Sequence, residues 1–366
     1  MKILHLLDSL NRGGTETLVL DICRNSSADF FDLTFAATGG GNLEEDFRAS
    51  GVDFVRLQRR LPIDLVLAKR LRDVIKKRQI EIVHTHQPVE GIHAYIAALG
   101  LKTKVILSYH GGSVDAKNRR TLQFLLPRTA KNVFCSEALR VWYKAERNLN
   151  TDQNFTILHN GVDRKRLNGD GARFKQSAKI PADAFLIGMI GNFYAAPRKD
   201  QLTLCRALPD VFTKIKNAHC IFVGRIEEGA ENKFAECVKF CNEKGFLERS
   251  HFLGVRSDVP DILDALDIFV LSTLHEGLPI SVLEAMLAGV PCVLSDISPN
   301  LEVSNNGEFA EIFPTQNADV LSEKLLQLTK NTELRENLSK KTLDFANRNY
   351  SIKAHLEKLK MLYNSI

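Results

Sequence analysis

Residues 269–295 read FVLSTLHEGLPISVLEAMLAGVPCVLS, and the punctuation of this string decides the fold. Phe269-Val270-Leu271 is a short apolar run of the kind buried in a parallel sheet. Gly277 and Pro279 interrupt it, and proline suits a first helical turn because its missing N–H would be unpaired there. Over 281–288, Val282, Leu283, Ala285 and Met286 keep helical spacing, and Gly289 is a stop signal. Residues 290–294 then start a second strand. The string therefore predicts strand, loop, helix, loop, strand, with Glu276 before the helix and Glu284 inside it.

That order suggests a chemistry. The first amides of the helix, at Ile280 and Ser281, together with its dipole, form a site for a phosphate anion. Glu276 stands just upstream, placed to accept hydrogen bonds from sugar hydroxyls, and Glu284 is placed to hold the two hydroxyls of a ribose. The plainer alternative is an amphipathic helix with two solvated glutamates, and the spacing of the pair does not choose between them. The whole string does. Glu276-Gly277-Leu278-Pro279, Glu284-Ala285-Met286 and Gly289-Val290-Pro291, in that order, resemble the Glu-x7-Glu signature of retaining GT-B glycosyltransferases of family 4. The resemblance implies two Rossmann-like doubly wound α/β domains facing a cleft, with a nucleotide sugar held mainly by the second. It also implies a C-terminal helix crossing back to the first domain.

Composition agrees with a globular chain. At 366 residues there is room for two domains, and 44% hydrophobic with 25% charged residues is ordinary for such proteins. Seven cysteines, mostly among apolar neighbours, read as buried reduced thiols. Cys237 and Cys241 share a helical face, but no histidine or cysteine pair stands near them, so zinc is not expected. The apolar start is short and broken by His5 and Asp8, which does not read as a signal peptide, and no stretch approaches a membrane span. The expected location is cytoplasmic, with attachment at the inner face of the cell membrane in view. The net charge of +5 is uneven, because residues 1–165 hold 25 Lys and Arg against 18 Asp and Glu. Such a basic half is an ordinary solvated surface or a face for anionic headgroups or a phosphorylated acceptor. No aromatic-interleaved basic motif accompanies it, so nucleic acid is not an expected partner.

Several further segments extend the reading. Residues 2–7 form a buried strand that leads into Gly13-Gly14 and a helix, where backbone approaches a ligand closely. This looks like the donor-side glycine loop of the same family. Residues 62–78 read as a basic amphipathic helix. His84 and His86 end a strand on one face, a spacing that suits a metal, but no third ligand is evident nearby. His110, before Gly111-Gly112 at the end of another strand, lies where doubly wound sheets bind ligands and resembles the family's active-site histidine. After the strand that ends at Gly191, the family pattern has an arginine and then a lysine. Here Asn192 replaces the arginine, Lys199 matches the lysine, and Arg198 is placed to supply the missing charge.

The expected domains are 1–165 on the acceptor side, a linker over 166–183, a nucleotide-sugar domain over 184–349, and a crossover helix over 350–366. The resemblance implies a retaining transferase moving sugar from a nucleotide-diphosphate donor to a glycan or lipid-linked hydroxyl, in surface polysaccharide, lipopolysaccharide or glycolipid assembly. Glu276, His110 and Lys199 would be catalytic. Gly13, Gly14, Arg198, Gly277, Leu278, Pro279, Ile280, Ser281 and Glu284 would bind donor. No Asp-x-Asp occurs in the chain, so neither metal nor cofactor is expected. A nucleotide-sugar epimerase of the same fold and a non-catalytic nucleotide- or glycan-binding protein are the rival readings, the latter favoured only by Asn192.

Overall fold

The apolar runs become two sheets in which every paired strand is parallel. The computed structural model describes residues 1–27, 30–111 and 116–366. Gly112 of the His110-Gly111-Gly112 turn lies outside them. The first unit comprises Met1–Val162 and Ile352–Ile366, and the second Asp163–Ser351.

In the first unit the strands are β1 (Lys2–Leu7), β2 (Asp32–Ala37), β3 (Asp53–Arg56), β4 (Ile82–Thr85), β5 (Lys104–Tyr109), β6 (Lys131–Phe134) and β7 (Phe155–Ile157). Their order is β3-β2-β1-β4-β5-β6-β7. In the second they are β8 (Phe185–Ile190), β9 (Ala218–Val223), β10 (Ser250–Gly254), β11 (Ile268–Leu271), β12 (Cys292–Ser295) and β13 (Glu311–Phe313). Their order is β10-β9-β8-β11-β12-β13. Central strands such as β4, β11 and β12 are buried at every position, as strands covered on both faces must be. In each sheet the order reverses once, between β1 and β4 and between β8 and β11. The crevice beyond the C-terminal ends of those strands is where such sheets hold ligands.

Three boundaries differ from the sequence reading. The stretch 166–183 is no linker. Arg164–Leu167 forms a 3-10 turn and Gly171–Ser177 a helix that packs on the helix Val259–Ala265. A Cβ on Gly169 would stand 2.1 Å from the Pro260 carbonyl oxygen, so this glycine serves close packing. Asp261 and Asp264 then accept the amides of Asp170 and Gly171 at 2.9 and 2.8 Å. The expected crossover helix is cut at Ser351, whose extended backbone (φ −66°, ψ 151°) ends the helix Thr332–Tyr350. Tyr350 stays in the second unit, donating to the Val303 carbonyl at 3.2 Å, and only the helix Ile352–Asn364 joins the first. The basic helix starts at Leu65 because the Asp64 carboxylate accepts the Leu67 amide at 3.0 Å.

The C-terminal helix buries Ile352, Leu356, Leu359 and Leu362 in the first unit, each worth about 1.5–3 kcal/mol when fully removed from water. None of the seven cysteines forms a disulfide. Among the described residues no helix is long and apolar enough to cross a membrane. Gly161 is the tightest point of the helix seat, since a Cβ there would fall 2.5 Å from His355 Cβ. Gly161→Ala is therefore expected to cost about 1–3 kcal/mol through overpacking. Urea unfolding checks it, and an unchanged midpoint would mean that the C-terminal helix is not seated there.

Candidate active site

In the second unit the loops after β8 and β11 are stitched together at the reversal of strand order. Lys199 and Thr273 form an antiparallel bridge, and Asp200 donates its amide to the Ser272 carbonyl at 3.0 Å. The Leu274 amide donates to the Arg198 carbonyl at 2.6 Å. The Thr273 hydroxyl lies 2.9 Å from both that carbonyl and Glu276 Oε1. Lys199 Nζ donates to the same Glu276 oxygen at 2.5 Å, and the two side chains are only 10% and 12% exposed. The lysine stem lies along Gly191, where a Cβ would meet Lys199 Cε at 3.0 Å.

Behind the Glu276 loop the helix Ile280–Ala288 begins with no side-chain cap and no acid in its first turn. Its backbone ladder starts with the Val282 and Leu283 amides, both bonded to the Pro279 carbonyl. Pro279 is thus the capping residue and not the first helical one. Leu278 is core, packed at 3% exposure. Gly277 and Pro279 are buried with it, while Ile280 and Ser281 are partly exposed at the helix mouth.

Glu284, inside the helix, holds Arg166 Nη2 at 2.7 Å. The sequence reading missed Arg166 because it lay in the supposed linker, 118 positions from its partner. Asn192 acts as a backbone clamp in place of an arginine: it accepts the Arg225 amide and donates to Glu227, each at 2.9 Å. Arg198 lays its guanidinium over the Tyr194 ring at 4.9 Å.

The first unit builds a different site. His5 on β1 is opposite His84 on β4, which brings a third histidine to the pair whose third partner the sequence did not reveal. The ligand atoms of His5, His84 and His86 lie within 4.8 Å of one another, a donor set of the kind that holds a divalent metal. Their ring nitrogens are engaged in hydrogen bonds. His5 Nδ1 meets His86 Nε2 at 3.0 Å, and His86 Nδ1 meets His110 Nε2 at 2.9 Å. The Tyr363 hydroxyl stands 2.8 Å from His5 Nε2 and 2.7 Å from His84 Nδ1. Residues His5, His355 and Tyr363 carried one weak sequence signal, a polar side chain in an otherwise apolar strand or helix face.

Burial holds these rings neutral, with neighbouring rings adding repulsion: His5 falls to about 3, His110 and His355 to about 4, and His84 and His86 well below the ordinary 6.5. Gly13 caps the helix Gly14–Asn25 in an extended conformation. The Glu16 carboxylate folds back to within 2.5 Å of where a Gly13 Cβ would sit. Burial raises Glu16 to about 7, so this helix start is faced by a carboxyl of its own. Glu90 is raised to about 7 by burial and by Asp8.

The family model described as "Glycosyltransferase Family 4" matches residues 12–166, and the one described as "Glycosyl transferases group 1" matches residues 170–344. The chain belongs to these glycosyltransferases. It is 26% identical over 309 residues to the UDP-Gal:alpha-D-GlcNAc-diphosphoundecaprenol alpha-1,3-galactosyltransferase of Escherichia coli, covering 80% of this chain and 77% of that one. A 110-residue stretch is 39% identical to the N,N'-diacetylbacillosaminyl-diphospho-undecaprenol alpha-1,3-N-acetylgalactosaminyltransferase of Campylobacter jejuni, covering 30% and 28%. The fold matches the crystal structure of Anabaena Alr3699/HepE in complex with UDP, with TM-score 0.85, 17% identity and full coverage of both chains. This glycosyltransferase thus has the two-domain α/β architecture of the GT-B class.

Two outcomes follow from the site. Glu284→Ala removes the carboxylate that pairs with a mostly buried guanidinium, so it is expected to cost roughly 1.5–3 kcal/mol of stability whatever it does to ligands. Thermal or urea unfolding of Glu284→Ala beside Glu284→Gln measures this, and a wild-type midpoint in the alanine variant refutes it. The histidines set a pH dependence. Their folded pKa values lie below the unfolded 6.5, so their contribution is intact above pH 6.5 and lost as pH falls toward 4, at up to about 1.4 kcal/mol per pH unit for each ring. Glu16 and Glu90, raised toward 7, work the other way, contributing most below 4.5 and losing it as pH rises through 7. Five rings outweigh two carboxyls, so the melting temperature is expected to drop between pH 6.5 and 5. A flat or rising profile would contradict the neutral histidine cluster.

Proposed function

We propose that this glycosyltransferase takes sugar from a UDP-sugar, keeps the anomeric configuration, needs no bound metal, and extends a glycan or lipid-linked acceptor during polysaccharide or glycolipid assembly. The observation that carries the reading is the buried Lys199–Glu276 pair beside the uncapped start of the helix Ile280–Ala288. A diphosphate leaving group gathers negative charge as the sugar departs, and an ammonium with free helix amides is what stabilises it. Lys199, with Arg198 beside it, supplies that positive charge. Glu276, freed by the incoming diphosphate from its hold on Lys199, accepts donor-sugar hydroxyls, while Glu284 takes the ribose; His110 is the active-site histidine of the first unit. The UDP in the complex with HepE and the UDP-galactose donor named for the Escherichia coli relative support the choice of nucleotide. The diphosphoundecaprenol acceptors named for both relatives support a lipid-linked acceptor.

Peripheral attachment to an anionic membrane belongs to the same reading. Leu61, Ile63, Leu65 and Val66 are between 59% and 68% exposed, on the approach to the helix Leu65–Arg78. Arg60, Lys69 and Arg70 are exposed around them, the pattern of an apolar tip with a basic collar.

Release of UDP from a panel of UDP-sugars, with and without diphosphate-linked acceptor, tests the activity. Lys199→Ala is expected to lower transfer by about 10²–10³, the usual loss when a main electrostatic stabiliser is removed. Near-normal turnover in Lys199→Ala combined with a collapse in Arg198→Ala would move the role by one residue. Sedimentation with vesicles tests attachment. Binding should require anionic lipid and fade with salt, since screening weakens exposed charges first. Equal recovery in the supernatant with anionic and neutral vesicles at low salt would remove the membrane from the reading.

A further inference from the structure

Five contacts join buried side chains of the first unit into one unbranched line. Ser108 Oγ meets His84 Nε2 at 2.7 Å, and His84 Nδ1 meets the Tyr363 hydroxyl at 2.7 Å. That hydroxyl meets His5 Nε2 at 2.8 Å, His5 Nδ1 meets His86 Nε2 at 3.0 Å, and His86 Nδ1 meets His110 Nε2 at 2.9 Å. Every contact needs one proton, and a neutral imidazole has one N–H and one bare nitrogen. Both nitrogens of His84, His5 and His86 are used, so the protonation of one ring dictates that of the next.

Counting protons leaves two fully bonded arrangements. In one, Ser108 donates to His84, His84 to Tyr363, Tyr363 to His5, His5 to His86 and His86 to His110, so that all four rings carry hydrogen on Nδ1. In the other every donor is reversed and all four carry it on Nε2. A mixed arrangement in which His84 and His5 both donate to Tyr363 leaves the buried phenolic proton with no acceptor in the line, which burial penalises.

We propose that this line sets the tautomer of His110, making Tyr363, His5, His84 and His86 positioning residues for a histidine at the reacting end. The proposal rests on the reading of His110 as an active-site group. With Nε2 committed to His86, His110 has only Nδ1 to offer, and that nitrogen is buried without a hydrogen bond at standard geometry. It lines a cavity of about 10 Å³ shared with Asn160, His355 and Cys135, room for one water at most. In either arrangement His110 Nδ1 has one fixed role, donor or acceptor, and the Tyr363 hydroxyl of the C-terminal helix stands in the middle of the line that sets it.

The test uses the full chain with ¹⁵N-labelled histidine. Long-range ¹H–¹⁵N spectra at pH 7 should show His5, His84, His86 and His110 neutral and all in one tautomer. Tyr363→Phe keeps the ring and cuts the line, so His84 should lose its tie to the other three. UDP release from UDP-glucose or another accepted UDP-sugar should fall in kcat by about tenfold, the low end of the cost of losing an outer partner of a functional histidine, with KM little changed. Ser108→Ala shortens the line without cutting it and should keep the uniform pattern. Mixed tautomers or an imidazolium in the wild type would overturn the proposal. So would stoichiometric zinc binding that displaces ring protons of His5, His84 and His86, or unchanged kcat in Tyr363→Phe. If the wild type turns over no UDP-sugar, the donor assignment fails separately, and the spectra still decide the proton order.

Discussion

An ammonium and a carboxylate held in contact at the mouth of the second sheet constrain everything around them. Lys199 and Glu276 are each nine-tenths removed from solvent, so neither is tolerable alone: stripping one partner from such a pair leaves an uncompensated buried charge. The pair therefore demands that the loops after β8 and β11 keep one relative position, and the backbone provides it. The Lys199–Thr273 bridge, the Arg198 carbonyl and the Thr273 hydroxyl lock the loops before any ligand arrives. Cationic stabilisation of a leaving group is most effective when it costs no reorganisation during the reaction.

The first unit solves a polar problem of the opposite kind. Its reversal point is lined by rings kept neutral by burial, and no carboxylate balances them in the hydrogen-bonded line. Neutral polar groups are affordable in such a place when their nitrogens find partners, as both nitrogens of His5, His84 and His86 do, and a line bonded in this way fixes directions. Rigid proton order on one unit and rigid charge placement on the other are two forms of the same preorganisation.

How much of this was legible depends on distance along the chain. The helix Ile280–Ala288 and its flanking strands were readable because propensity, breakers and apolar pattern all act within one short string. His110 was singled out because it follows the strand Lys104–Tyr109, where doubly wound sheets present ligands, and Glu276 and Lys199 were singled out by their match to a family pattern. Their partners were not readable, since Arg166 to Glu284 and His5 to Tyr363 are contacts created by packing. The glycines around 169–171 misled for a physical reason: glycine marks both flexible connection and close backbone approach, and only the helix Val259–Ala265 reveals which. Asn192 resembled a lost charge, yet its amide accepts a backbone N–H while donating to a carboxylate, and a guanidinium, which has no acceptor, cannot take the first of these bonds.

The division of the first unit between the two ends of the chain has a consequence for biogenesis. A ribosome delivers β1 to β7 long before residues 352–366, so for the whole time that the second unit is being made the first lacks Ile352, Leu356, Leu359, Leu362 and Tyr363. Its apolar groove stays open and His5 and His84 share no phenol. The second unit is continuous in sequence, and domains commonly fold as such units during synthesis. The order of completion is therefore inverted relative to the order of translation: the half that begins the chain is the half that finishes last.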